Sequence, residues 1–131
     1  MYGIFINEDD IPFALLIGQG KKTIETRTKD MLGKLVGERV ALISTSKKRM
    51  PLIVGYATIT AKQFVPECML DSTEARTLTH IPKGSKYDKY VYNKNAYCYG
   101  KWCYVMRWPE VCQPSPLPLE AVRHGRSYCE F

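Results

Sequence analysis

Lys22, Glu25 and Arg27 place a carboxylate between two cations within six residues. If the three side chains converge, such a cluster can hold a nucleobase amide edge and a phosphate together. On a β-strand Glu25 and Arg27 share a face, and Lys22 joins them only if the chain twists at the strand start. The same residues also describe a surface strand with an i, i+2 ion pair of small energetic weight. Lys21 and Thr23 stand beside the cluster as further ligand contacts. A second group, Ser44, Thr45, Ser46 and Lys47, closes an apolar run. Hydroxyls and a lysine at a strand end suit a phosphate or ribose, and equally suit plain turn chemistry. Lys101, Arg107, His124, Arg126 and Tyr128 form a third group. His124 can exchange a proton near neutral pH or serve as polar surface.

The elements that must position these groups are short. The opening MYGIFI reads as a strand. Asp9 or Asp10 is the expected N-cap and Pro12 the first turn of an apolar helix through Ile17, stopped by Gly18 and Gly20. Residues 22–27 alternate as a strand, 39–45 and 52–60 read as core strands, and Lys47, Lys48, Arg49 and Pro51 make a basic turn between them. A cap at Asp71 or Ser72 opens a helix containing Glu74, which Pro82 closes. Residues 84–100 read as an ordered loop or irregular hairpin, and 101–108 as a strand. Pro114, Pro116 and Pro118 suggest an extended connection without ladder donors, and 125–131 a last strand. With 131 residues and no linker or repeat, a single α+β domain over residues 1–131 is expected, mostly β, as a small antiparallel barrel with short flanking helices.

Composition narrows the partners. Apolar residues at 45% and charged residues at 24% are globular averages, which excludes disordered and membrane classes. The N-terminus has neither a basic flank nor an apolar stretch, so a cytoplasmic location is expected. Five cysteines without a CxxC pair are expected as reduced, mostly buried thiols rather than a zinc site, and no metal or cofactor is expected. The net charge of +6 is unevenly spread. Between Gly20 and Met50 nine basic residues face three acidic ones, and between Lys83 and Arg107 six face one, among six of the nine tyrosines. Bases interleaved with aromatic rings suit nucleic acid, and equally describe a solvated surface.

The stretch PFALLIGQGKKTIETR, residues 12–27, resembles the signature of the ASCH domain, a relative of the RNA-binding PUA domain found in the activating signal cointegrator. Its GxKxxExR pattern is matched by Gly20, Lys22, Glu25 and Arg27. GERVALISTSK and IVGYATI resemble the strands that follow, and the tail from Trp108 resembles the closing strands, with Tyr128 where a Trp is frequent. The resemblance implies a PUA-like barrel that binds RNA or a nucleotide in a basic cleft around the motif. Ligand contacts are then expected from Lys21, Lys22, Thr23, Glu25, Arg27, Ser44, Ser46, Lys47, Lys101, Arg107 and Tyr128. Relatives that hydrolyse acetylcytidine use a lysine, a threonine and a glutamate. Lys22 matches the lysine, Glu25 stands at the threonine position, Thr23 is a poor substitute and Glu74 is a distant second carboxylate. Ribonuclease action remains open, with Lys22 and Glu25 catalytic, Arg27 assisting and His124 an alternative base. The cointegrator likeness also implies a possible protein partner.

Overall fold

The computed structural model describes residues 1–131. Eight strands form one sheet: β1 (Tyr2–Asn7), β2 (Ile24–Arg27), β3 (Arg39–Ser46), β4 (Arg49–Pro66), β5 (Val91–Asn93), β6 (Cys98–Pro116), β7 (Val122–His124) and β8 (Tyr128–Glu130). Their order is β2-β6-β4-β3-β1-β8-β7, with β5 on the outer side of β6. The fold is α+β and mostly β as expected, but its ladder ends at β2 and β7, so the sheet stays open rather than closing into a barrel. Three short helices, α1 (Phe13–Gly18), α2 (Glu67–Leu70) and α3 (Thr73–Thr79), flank it. None is long and apolar enough to cross a membrane.

β1 and β3 pair in parallel at the centre, Ile4 opposite Leu42. Their apolar runs are continuous because both faces are covered. Ile4, Ile6, Val40 and Leu42 join Phe13, Ala14 and Ile17 of α1 in the main core, while Phe5, Ala41 and Ile43 join Ile53 and Cys129 on the other face. Burying Phe13 and Ile17 stabilises the α1 contact by roughly 1.5–3 kcal/mol each. Strands β4 and β6, 18 and 19 residues long, pair through three register shifts that bend the ribbon. Gly55 sits at one of them, where a Cβ would fall 2.3 Å from the Glu110 carbonyl oxygen.

Two local expectations are corrected. Helix α1 has no side-chain cap at Pro12, and neither Asp9 nor Asp10 caps it. The Glu8 carboxylate accepts the Leu15 N–H instead (3.1 Å), and Asp9 is held by Asn7 and the Lys47 N–H. The Pro114 and Pro116 segment is not a free connection but continues β6, with Ser115 and Pro116 opposite Ile53 and Leu52. No strand pairs with its other side, so the missing N–H groups disrupt no ladder there. The last strand expected within 125–131 is present as β8, and β7, just before it, pairs with it in a hairpin. Residues 84–100 do contain a hairpin, β5 with the start of β6.

Candidate functional site

The twist that Lys22 needs comes from the exit of α1. Gly20 takes φ +76°, a left-handed value that costs glycine little, and the Lys21 and Lys22 N–H groups both donate to the Leu16 carbonyl. Lys22 therefore lies before β2 begins, and its side chain turns to the same side as Glu25. Its Nζ donates to the Thr79 carbonyl (2.5 Å), one of the carbonyls left open at the C-terminal end of α3, and lies 3.5 Å from Glu25 Oε1 and 4.8 Å from the centre of the Phe13 ring. Only 1% of Lys22 is exposed.

Glu25 is the hub. Oε1 accepts the Thr26 N–H (3.2 Å), and Oε2 accepts Nε and Nη2 of Arg27 (3.2 and 3.0 Å). Arg27 Nη2 also donates to the Phe5 carbonyl (2.8 Å), so the guanidinium spans from β2 to β1 across the opening of the sheet. Burial pushes the Glu25 carboxyl up, but the Arg27 and Lys22 charges and the Arg27 hydrogen bonds outweigh it and leave it below its ordinary value. Burial lowers the Lys22 ammonium, with Glu25 opposing the shift. Lys101, 5% exposed, is also lowered by burial, and its Nζ donates to the Tyr87 carbonyl.

These side chains face a cavity of about 510 Å³ at the sheet opening. Its wall includes Lys22, Glu25 and Arg27, with Phe13 and Tyr87 packed edge to face at 5.0 Å. No family model and no curated protein matches the chain. The solved ASCH structure from Zymomonas mobilis aligns with a TM-score of 0.63 and 19% identity over 88% of this chain and 73% of that one. Two single-residue variants of that protein align at 0.63 and 0.62, with 19% and 20% identity, over 88% and 87% of this chain and 76% and 73% of theirs. The fold is that of an ASCH protein.

Within this ASCH fold, Lys22, Glu25, Arg27, Lys101, Thr45 and Arg126 come together at the cavity. The other sequence candidates lie elsewhere. Lys21 is exposed, and its carbonyl meets His80 Nε2 (2.9 Å). Thr23 serves through its backbone, donating to Leu78 and accepting from Met106. Ser44 is fully buried and bonded to Arg49, Ser46 accepts the Lys48 N–H, and Lys47 is an exposed turn residue. Arg107 and Glu74 are exposed on β6 and α3. Tyr128 stacks on His124 at 5.0 Å, away from the cavity wall.

Sequence reasoning missed Asn7, Thr28, Lys86, Tyr87 and Lys89 on the cavity wall. The last three come from the Lys- and Tyr-rich segment, whose composition was the available signal. Asp88 fixes that wall: it accepts from Arg76 Nη2 (3.2 Å), Tyr90 Oη (2.6 Å) and the Gly84 N–H (3.0 Å). Lys86 is paired with Asp10, whereas Lys89 and Arg126 form no ion pair within the chain.

Proposed function

We propose that the cavity binds a nucleotide unit, free or carried by RNA. The observation that carries this reading is the imbalance of charge: six cationic side chains line the cavity against one carboxylate, Glu25, which Lys22 and Arg27 already share. The surplus favours an anion. A volume near 510 Å³ suits a ligand of nucleotide size, and Phe13 and Tyr87 supply apolar ring surface beside the polar groups. Exposed Lys89 and Arg126 are the phosphate contacts in this reading, and Asn7, Thr26, Thr28 and Thr45 are the groups for base and sugar.

Filter binding of RNA and of a free nucleotide across a salt series tests it. Lys89→Ala and Arg126→Ala should weaken binding, and each should reduce the salt slope by about one. Unchanged affinity and slope in both variants overturn the reading.

A hydrolytic reading rests on Lys22. Burial lowers its ammonium while Glu25 opposes the shift, and Lys22 lies at the cavity wall where a general base would be needed. Glu25 itself is kept ionised by its donors and is a poor proton donor. Incubation with acetylcytidine and with labelled RNA decides. Turnover that disappears in Lys22→Met and Glu25→Gln supports hydrolysis, and no consumption by the unaltered protein ends it.

A further inference from the structure

The six tyrosines between Lys83 and Arg107 divide into two sets. Tyr87, Tyr90 and Tyr104 donate their hydroxyls to Asp10 (3.1 Å), Asp88 (2.6 Å) and Asp30 (2.7 Å), and each is at least partly buried. Tyr92, Tyr97 and Tyr99 make no hydroxyl hydrogen bond within the chain and are 51%, 83% and 56% exposed. The first set holds the structure together, and the second has no internal partner beyond itself.

The unpartnered set is gathered on the β5–β6 hairpin. Tyr92 and Tyr99 are direct cross-strand partners with ring centres 5.2 Å apart. Tyr97 stands at the turn with φ 51°, a conformation rare for a bulky side chain, within a turn where Asn93 Oδ1 accepts the Asn95 and Ala96 N–H groups. Strand alternation puts Tyr99 and Lys101 on one face, roughly 7 Å apart along the chain, and Lys101 lines the cavity. Lys89 lies on the cavity wall and Lys94 is exposed at the turn. The one acid of the segment, Asp88, is already engaged by Arg76.

We propose that Tyr92, Tyr97 and Tyr99 form a stacking track for single-stranded RNA that continues from the cavity along the hairpin. This rests on the nucleotide reading of the cavity and extends it: the ligand is a strand, with one nucleotide in the cavity and its neighbours stacked on the tyrosines. Rings bind bases without regard to sequence, and the surrounding lysines meet the phosphates.

Fluorescence anisotropy with a labelled single-stranded RNA of about eight nucleotides, beside calorimetry with adenosine monophosphate, separates cavity from track. Replacing Tyr92 and Tyr99 together by Ala should weaken the RNA about tenfold or more and leave the mononucleotide unchanged, whereas Phe at both positions should retain RNA affinity. Tyr97→Ala, at the exposed turn, should weaken RNA less and guards against a folding defect in the double variant. If RNA affinity is unchanged in the Ala variants while Lys89→Ala weakens it, the track is overturned and the cavity reading stands. If the unaltered protein binds neither probe, both fall. If the Ala variants instead abolish self-association in sedimentation with RNA affinity intact, the face belongs to a second copy of the chain and the track is overturned.

Discussion

Glu25 lies between two cations, whereas Arg76 lies between two carboxylates, Asp71 at 2.5 Å and Asp88 at 3.2 Å. The Glu25 cluster carries a surplus cation, whereas Asp71 and Asp88 are balanced by Arg76 and by exposed Lys83, 3.8 Å from Asp71. The Glu25 cluster is almost sealed from solvent, and its surplus cation faces the cavity. The Arg76 cluster reaches the surface through Asp71, and its other carboxylate is turned toward structure: Asp88 ties down Gly84 and Tyr90, and with them the loop that carries Lys86, Tyr87 and Lys89. One cluster sets the charge that a ligand meets, and the other sets where the opposite wall stands. Burial makes the first the more costly to disturb.

Breaking the first should therefore have the largest effect. Glu25→Gln removes the counter-charge of buried Lys22 and should cost about 3 kcal/mol in urea denaturation. A loss no greater than that of Asp88→Asn would show the two clusters to be equivalent. Asp88→Asn should cost about 1–2 kcal/mol and weaken mononucleotide binding, because the loop loses its anchor.

Acid titration sharpens the contrast. The carboxyls of Glu25, Asp71 and Asp88 are all held below their ordinary values of 4.5, 3.8 and 3.8. Their contribution is complete above those unfolded-state values and is lost as pH falls through the lower folded-state ones. Denaturation midpoints should thus stay level on the neutral side and drop below about pH 4, and Glu25→Gln should flatten that drop. The smallest effect belongs to Glu74→Ala. This exposed α3 residue lies in neither cluster, and its loss should change stability by no more than about 0.5 kcal/mol and leave binding unaltered.

The parts governed by nearby residues were legible. Short apolar runs rich in β-branched and aromatic residues located β1, β3 and the centre of β4, and the Ser72 cap of α3 accepts the Ala75 N–H as a capping residue should. The spacing of Glu25 and Arg27 put them on one face, while the turn of Lys22 toward them depended on Gly20 and on an acceptor, Thr79, 57 residues away. Asp88, Lys86 and Lys89 are legible only as composition, because contacts with Arg76 and Asp10 from distant segments place Asp88 and Lys86, and Lys89 follows them in the chain. The proline-bearing end of β6 is not legible because its unpaired side is a property of the whole sheet; the helix α1 is legible, but its cap is not, because the N–H acceptor, Glu8, lies several residues before the helix.

The open end of the sheet has a further consequence, for self-recognition between chains. β2 is an edge strand, and exposed edges invite pairing with strands of other molecules. Here the outward Thr26 N–H is occupied by the Glu25 carboxylate, and Arg27 reaches across to the Phe5 carbonyl. The side chains that gather charge at the cavity also blunt the edge, leaving an incoming strand with a charged, already bonded border instead of a free ladder.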